Sequence, residues 1–190
     1  MTAPPPYTTL RRFLPGKSAE RCELCGAPLA TEHPHLLELA NRRIVCSCEP
    51  CGVLFEHRGE GRYRRIGRDI RYLSDFRITD AEWESVHIPI ELAFFVRTGE
   101  GARAYYPSPA GCTESRLPLS TAFLPEMAPD VEALLVNRVR GAREHYLAPI
   151  DRCYHLAGLI RLHWRGLSGG DEVWRQIDQF FGALREGCGA

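Results

Sequence analysis

The 190-residue sequence contains a single lysine and carries no net charge. Lys17 stands among 24 basic residues, all the others being arginine, and 24 acidic residues balance them. A chain without net charge exerts no overall electrostatic attraction on nucleic acids or anionic membranes. These counts argue against a protein that binds such partners through its global charge.

Long apolar segments are also missing from the sequence. Residues 1–20, MTAPPPYTTLRRFLPGKSAE, lack the apolar core of a secretory signal peptide, and runs such as LAFFV (92–96) are far too short to span a bilayer. We therefore expect a cytoplasmic protein without a membrane partner, with residues 1–20 forming a flexible arm. In a reducing cytoplasm, closely spaced cysteines are better explained as metal ligands or redox groups than as disulfides.

The remaining composition excludes an intrinsically disordered chain. Hydrophobic residues make up 44% and charged residues 25% of the sequence, and 190 residues are enough to bury a core. The 17 glycines and 14 prolines predict many turns and short elements.

Two copies of a C-x2-C-G motif contain four of the eight cysteines. CELCG includes Cys22 and Cys25, and CEPCG includes Cys48 and Cys51. In such a knuckle the two intervening residues let both sulfurs face one ion, and the glycine permits a tight turn whose N–H groups donate to the thiolates. Four thiolates form a closed tetrahedral site, the usual form of structural zinc. We predict that these four cysteines bind a structural Zn2+ ion.

Three further side chains are alternative ligands. Cys46 lies two residues before Cys48, so on a strand it would face the same side and could replace or supplement that ligand. We favour an unligated strand cysteine. His33 and His35 could also bind the ion, but with four thiolates present a loop histidine is more often solvated.

Iron is the alternative to zinc in this site. Two C-x2-C-G knuckles also describe rubredoxin, in which a single iron is held by four thiolates. Zinc is favoured because ribbons greatly outnumber rubredoxins, and because the loop here is shorter and richer in arginine than the acidic, aromatic-lined loop of a rubredoxin. An iron–sulfur cluster that includes Cys46 is a third alternative.

Residues 21–66 are predicted to form a zinc-ribbon or rubredoxin-like β module. HLLELANRRIVCS (35–47) is typical of a hairpin with Asn41 and Arg42 at its turn, and VLFEH (53–57) and RYRRI (62–66) are predicted strands. A segment of this size buries too little apolar surface to fold alone. The ion would make up the difference, since structural zinc has apparent binding free energies of about 10–16 kcal/mol.

Residues 67–190 are predicted to form a metal-free domain, so that the fold class is α+β, with antiparallel hairpins followed by two C-terminal helices. TDAE (79–82) matches a capping box and opens a short helix that ends near Val86. IELAFFV, TGEG and ARAYY (90–106) predict one hairpin, and VEALLVNRV with EHYLAPI (131–150) predict another, joined at Gly141. The polar segment PSPAGCTES, Pro107 to Ser115, is expected to be a loop.

The two helices differ in their apolar pattern. DRCYHLAGLIRLHWRG (151–166) is apolar nearly all round and should lie packed in the middle of the fold. GGDEVWRQIDQFFGAL (169–184) has one apolar face, Asp171 at its start, and Gly169 and Gly170 as the break between the helices. Trp164 and Trp174 are therefore predicted core residues.

Catalytic motifs are not found in the sequence. We identify no nucleophile elbow, P-loop or dinucleotide fingerprint. Cys153 and His155 are two residues apart on a predicted helix and would point in different directions, so they are a poor catalytic pair. Cys112 and Cys188 are isolated, and we expect a loop thiol and a frayed tail. The sequence favours a protein that is not an enzyme.

Several segments together resemble an uncharacterised domain family of unknown function that is encoded beside structural and maturation genes of uptake NiFe hydrogenases. The resemblance rests on RCELCG, CSCEPCG, YPSPAGCTES and PIDRCYHLAGLIRLHWRGLSGGDEVW, and it extends from about Arg21 to Leu184. That family has no assigned activity. What the resemblance implies is a role in the assembly, stabilisation or electron supply of a hydrogenase.

Three functions follow as hypotheses. The first is a non-catalytic, metal-stabilised accessory protein that contacts a hydrogenase subunit or maturation factor. The second is a rubredoxin-like carrier of single electrons. The third is a nucleic-acid-binding or regulatory module, which would use an arginine patch to neutralise phosphates. That patch contains Arg58, Arg62, Arg64, Arg65, Arg68 and Arg71.

Overall fold

The computed structural model of the chain describes residues 20–58, 61–115, 123–166 and 168–188. These residues form an α+β fold with two antiparallel sheets and four α-helices. Within the same residues, no helix is both long and apolar enough to cross a membrane. The predicted flexible arm falls, apart from Glu20, outside the described residues.

The first sheet has three strands in the order β2-β1-β3. Strands β1 (His35–Glu38) and β2 (Arg43–Cys46) form a hairpin in which Leu36 is opposite Val45. Strand β3 (Tyr63–Arg65) pairs with the other edge of β1. The predicted hairpin and the predicted strand in RYRRI are confirmed.

The predicted strand VLFEH is wrong, because Glu49–Arg58 form helix α1. Cys48 precedes this helix and Cys51 lies in its first turn, so a C-x2-C spacing fits one helical turn as well as it fits a knuckle. Pro50 is tolerated because the first-turn N–H groups have no partner within a helix. The apolar run is misleading, since Val53 and Leu54 are 47% and 45% exposed.

The second sheet has six strands in the order β4-β9-β8-β5-β6-β7, and every neighbouring pair is antiparallel. Two predicted hairpins are confirmed, namely β5–β6 and β8–β9, and a 3-10 turn at Val139–Gly141 connects the latter pair. The strands are β4 (Arg71–Tyr72), β5 (Leu92–Thr98), β6 (Gly101–Ser108), β7 (Gly111–Glu114), β8 (Glu132–Asn137) and β9 (Glu144–Pro149).

The predicted loop at Pro107 to Ser115 is wrong, because most of it forms a third hairpin. Strand β6 continues through Ser108, and β7 returns from Gly111, which has a φ of 117°. Pro107 lacks an N–H, but the pairing of β6 with β5 ends at Tyr105, so β6 has only β7 as a neighbour there. Proline is tolerated in a strand with one free edge.

Three further helices complete the described fold. Helix α2 (Asp80–Ser85) begins with the predicted capping box, in which Thr79 and Glu82 exchange hydrogen bonds. Helix α3 (Ile150–His163) follows β9 directly, and helix α4 (Gly170–Gly187) begins at the predicted glycine pair. Cys188 caps the C-terminal end of α4 and packs against the core, so the predicted frayed tail is wrong at this residue.

The apolar composition of helix α3 predicted burial on all sides, and this prediction is wrong. Cys153, Leu156 and Ile160 face the core, whereas Arg152 is exposed and Leu162 is 63% exposed. The helix covers one face of the six-stranded sheet, and the sheet buries only the side that it contacts.

The predicted core tryptophans lie at the edge of the core. Trp164 and Trp174 are half-buried, pack against the core, and have ring centroids 6.4 Å apart. Helix α4 inserts Val173, Ile177 and Phe181 into the core, as its pattern predicted.

The six-stranded sheet is apolar on both faces. Phe94, Leu135 and Tyr146 lie on the face covered by α3 and α4. Alternate residues of the same strands pack on the opposite face around Trp83 of α2. Leu37 of β1 and Ile66 belong to the same cluster as α3 and α4, so the three-stranded sheet packs onto the helical side of the larger one.

Candidate metal centre

The four predicted ligand cysteines lie together, with Cys48 and Cys51 placed between the end of β2 and the first turn of α1. The Sγ atoms of Cys22, Cys25, Cys48 and Cys51 are all within 4.8 Å of one another. The sulfurs of Cys25 and Cys48 are 3.6 Å apart. Cys22 and Cys51 are buried and Cys25 is exposed, so the cluster lies at the surface with two of its sulfurs covered.

The first C-x2-C motif forms the predicted tight turn. The N–H of Cys22 donates to the carbonyl of Ala27 at 2.8 Å, and the N–H of Gly26 donates to the carbonyl of Cys22 at 2.8 Å. Gly26 has a φ of 76°, which an L side chain rarely adopts. The prediction for the first glycine is confirmed.

The second C-x2-C motif is built differently. Cys48 and Cys51 flank the start of α1, and the N–H of Gly52 donates to the carbonyl of Cys48 at 2.8 Å. Gly52 is therefore helical, and the tight turn predicted for it is wrong. A Cβ at Gly52 would lie 3.5 Å from Pro34 Cβ and from Ser47 Oγ, so the helix start packs closely on the segment beside β1.

Hydrogen bonds hold the first knuckle against β2. The N–H of Glu23 donates to the carbonyl of Cys46 at 2.9 Å, and the N–H of Cys46 donates to the Glu23 carboxylate at 2.8 Å. Arg43 also donates to this carboxylate, at 2.6 Å. These contacts position the first pair of sulfurs beside the end of β2.

The backbone around Cys22 stabilises a thiolate. Burial raises the pKa of Cys22, but the N–H groups of Cys48, Leu24 and Cys25 donate to its sulfur and lower the pKa to about 6. Backbone N–H groups that donate to a sulfur also orient and stabilise a metal-bound thiolate.

Two neighbouring sulfurs, those of Cys25 and Cys51, resist ionisation because they are crowded or buried. Burial and the neighbouring sulfurs raise the pKa of Cys51. The N–H of Ala27 lowers the pKa of Cys25, but hydrogen bonds with the sulfurs of Cys22 and Cys48 raise it above the ordinary value. Four thiolates this close repel one another unless a cation lies among them. The donor set therefore fits a tetrahedral thiolate site for zinc or iron.

The other candidate ligands lie outside the four-cysteine cluster and form a group of their own. One ring nitrogen each of His33 and His35 and the sulfur of Cys46 lie within 4.8 Å of one another. The prediction of a solvated loop histidine is wrong for His33, whose side chain is only 7% exposed. The His33 ring is covered individually, since it contacts the carbonyl of Ala30 and the ring of His35, while most of the segment between the first knuckle and β1 is exposed.

Among the side chains that the structure describes, the other cysteines and histidines form no further cluster of metal-ligating groups. Cys153 is buried, and burial raises the pKa of its thiol. His155 is exposed on the other side of α3, with its ring edge toward Phe180. Cys112 lies in strand β7 instead of the predicted loop.

Comparison with protein-family models matches residues 21–188 to a family of unknown function, DUF5947. The chain belongs to the DUF5947 family. The match to an uncharacterised family confirms that part of the resemblance seen in the sequence. The match begins next to the first knuckle and ends at the C-terminal cap of α4, so both sheets and all four described helices are part of the DUF5947 domain. No curated protein and no solved structure matches the chain.

Sequence reasoning missed the residues that orient the site from a distance. Asp151 of α3 contacts His35, although the two are 116 residues apart in sequence. Glu23 anchors the first knuckle, and no local pattern distinguishes it from other surface glutamates. Such partners become neighbours only when the chain has folded.

Proposed function

We propose that this DUF5947 protein is a non-catalytic, metal-stabilised accessory protein of the cytoplasm. It would support the assembly or stability of a NiFe hydrogenase by contacting one of its subunits or maturation factors. The hydrogenase connection rests on the family resemblance of the sequence. The docking role rests on the four-cysteine cluster and the helix that it fixes in place.

The observation that carries the docking role is the position of α1. Cys51 lies in the first turn of α1, so an ion bound by the four cysteines would tie this helix to the first knuckle and to the β1–β2 hairpin. On the same helix Val53 and Leu54 are nearly half exposed. A helix held rigidly presents these side chains without a further ordering cost on binding.

The asymmetry of the two motifs favours zinc over the iron of an electron carrier. The rubredoxin-like alternative is based on two equivalent knuckles, but Gly26 is in a left-handed turn and Gly52 is in a helix. Elemental analysis of freshly purified protein separates the two ions. Iron-loaded protein would be red with a reversible redox couple, whereas zinc-loaded protein is colourless.

The arginine patch gives little support to the nucleic-acid alternative. Arg68 lines a cavity beside His35, and the side chain of Arg58 is outside the described part of the chain. Four of the patch's arginines form ion pairs with carboxylates, which compete with phosphate for the guanidinium groups. These pairs are Arg62–Glu38, Arg64–Asp130, Arg65–Glu49 and Arg71–Glu132.

Co-purification tests the proposal. The tagged full-length chain, expressed where a NiFe hydrogenase assembles normally, should retain a hydrogenase subunit or maturation factor. The Leu54→Asp variant should lose that partner. Leu162→Asp is the matched control, because Leu162 is 63% exposed on α3 instead of α1.

Two results would contradict the proposal. One is the absence of any hydrogenase component in the wild-type eluate while the hydrogenase itself matures normally. The other is equal retention of the partner by both aspartate variants, which would remove α1 as the docking element.

A further inference from the structure

A second group of metal-ligating side chains lies beside the four-cysteine cluster. His33, His35 and Cys46 each place one ligand atom within 4.8 Å of the other two. The two rings are in a T-shaped arrangement with centroids 4.9 Å apart. Cys46 ends strand β2, and His35 begins β1 directly opposite it in the hairpin register. The β1–β2 pairing therefore brings two of the three side chains together.

In both rings the Nδ1 atom makes a hydrogen bond, so the Nε2 atom is available to bind a metal ion. His33 Nδ1 donates to the carbonyl of Ala30 at 3.0 Å. His35 Nδ1 donates to the Asp151 carboxylate at 2.7 Å. A metal-bound histidine usually donates its other ring N–H to a carbonyl or a carboxylate, which fixes the ring and raises its basicity.

The buried nitrogen of His33 points to an occupant. Its side chain is 7% exposed, and Nε2 is buried without a hydrogen-bond partner among the described residues. Buried polar atoms in native proteins almost always have a partner, so an isolated one calls for an explanation. A cation shared with His35 and Cys46 would provide that partner.

We propose that His33, His35 and Cys46 bind a second divalent transition-metal ion of the zinc class, separate from the four-cysteine ion. Two imidazoles and one thiolate suit zinc and its neighbours, and hard cations such as magnesium prefer oxygen ligands. Three protein ligands leave one position of a tetrahedral ion open to water or a small ligand.

A cavity beside the histidines has room for that fourth ligand. His33 and His35 line a cavity of about 370 Å³, and Arg68, Arg152 and His155 line it as well. The carboxylates of Glu32 and Asp151 line the same cavity, so its charge does not select an anionic ligand over water, and either can enter the open position. The second site is therefore suited to exchange, and the four-cysteine site is closed.

Metal stoichiometry tests the proposal, and it does so independently of any hydrogenase partner. Full-length protein is stripped with a chelator under reducing conditions, reloaded with Zn2+, and analysed by mass spectrometry of the metal. We expect about two zinc ions per chain for the wild type and about one for His33→Ala and for Cys46→Ala. His87→Ala and Cys188→Ala are matched controls, because His87 is exposed and neither residue belongs to the three-residue group or lines the cavity, and both should retain about two.

Cobalt substitution shows which site has lost its ion. The thiolate-to-cobalt bands of the four-cysteine site should survive in His33→Ala, whereas the weaker contribution of a site with one thiolate should disappear. This readout also shows whether a variant has unfolded, since unfolding would abolish both signals.

A third variant tests the hydrogen bond between His35 and Asp151, which holds the His35 ring in place. Asp151→Asn should lower the Zn2+ affinity of the second site by about ten- to a hundredfold, because Asp151 only positions His35. The proposal is overturned by a wild-type stoichiometry of one ion with the four-cysteine site filled. It is equally overturned if His33→Ala and Cys46→Ala keep the second ion with unchanged affinity.

Discussion

At the scale of single residues, the eight cysteines of this chain occupy very different environments. Cys22 and Cys51 are 2% and 7% exposed and lie in the four-sulfur cluster, whereas Cys188 caps the last helix. We expect Cys22→Ser and Cys51→Ser to lower the thermal unfolding midpoint much more than Cys188→Ser. The reason is that zinc binding in zinc-finger peptides has an apparent free energy of about 10–16 kcal/mol that stabilises the folded state. Removing one ligand removes much of this stabilisation.

Differential scanning calorimetry of metal-loaded protein measures this contrast, with zinc content determined for each variant. Equal midpoints for all three serine variants would mean that the cluster is not a structural metal site.

A second residue-scale prediction concerns a buried histidine far from the metal centre. His145 is 2% exposed, and burial lowers its pKa below the ordinary value of 6.5, with further lowering by the charges of Arg77, Arg138 and Arg143. Above pH 6.5 the His145 ring is neutral in both the folded and the unfolded chain. As pH falls through this value, the unfolded chain takes up a proton that the folded ring refuses, so stability decreases.

His145→Gln should flatten the pH dependence of the unfolding free energy between roughly pH 7 and 5, measured by urea denaturation. His87→Asn is the control, because His87 is exposed, and it should leave the slope unchanged. If the unfolding free energy of His145→Gln changes with pH in parallel with that of the wild type, His145 is not the source of the pH dependence.

Residue-level prediction from sequence worked where the signal was local. The four candidate ligand cysteines are marked by two short motifs, and their sulfurs do converge. Asp151 and Asp130 escaped prediction because their partners, His35 and Arg64, lie far away in sequence. Burial of His33 escaped it for the same reason, since a loop residue becomes buried only when other segments cover it.

At the scale of elements, the hairpins were predictable and helix α1 was not. Apolar runs rich in strand-forming residues flank TGEG and Gly141 and specify β5–β6 and β8–β9, because strand and turn preferences agree there. In α1 the apolar run Val53 to Phe55 favours a strand. The segment is helical instead, with Cys51 held in its first turn beside the other cysteines and Phe55 packed on Tyr63 of β3. Tertiary context overrides weak local preference.

The junction between α3 and α4 gives a test at this scale. Gly169 and Gly170 have φ values of 88° and 74°, so alanine at either position is strained by about 1 kcal/mol or more. At Gly169 an added Cβ would also lie 2.8 Å from Val173 Cγ1 and 3.3 Å from the Trp164 ring. Overpacking of this kind costs about 1–3 kcal/mol more.

Gly169→Ala should therefore destabilise the protein by clearly more than Gly170→Ala, for which the nearest Cβ contact is Arg165 Cβ at 3.7 Å. Chemical denaturation followed by circular dichroism gives both free energies. Equal losses would show that the junction relaxes and that only the backbone conformation matters.

At the scale of the whole molecule, the two sheets are joined by both packing and charge. Leu37 and Ile66 lie in the apolar cluster that α3 and α4 form with the larger sheet. Asp130, which precedes β8, accepts from Arg42 at 3.1 Å and from Arg64 at 3.0 Å. The prediction of two separate domains, 21–66 and 67–190, was based on composition and cysteine spacing. Neither carries information about such long-range contacts.

These contacts predict that metal binding stabilises more than the three-stranded sheet. All three tryptophans lie after residue 66, so their fluorescence reports on the larger sheet and its helices. Removing metal with a chelator should shift the tryptophan-detected urea midpoint to lower concentration, because loss of the metal site frees Leu37 and Ile66 from the shared core. In the wild type, metal release followed with a chromophoric chelator should coincide with the tryptophan transition.

Asp130→Asn keeps the size of the side chain and removes the charge that Arg42 and Arg64 share. If the ion pairs contribute to the coupling, metal release in this variant should precede the tryptophan transition, because each part then unfolds more independently. If instead wild-type protein loses its metal and the urea midpoint of the tryptophan-detected transition does not change, residues 21–66 unfold as an independent domain. The packing of Leu37 and Ile66 would then contribute little to the stability of the larger sheet.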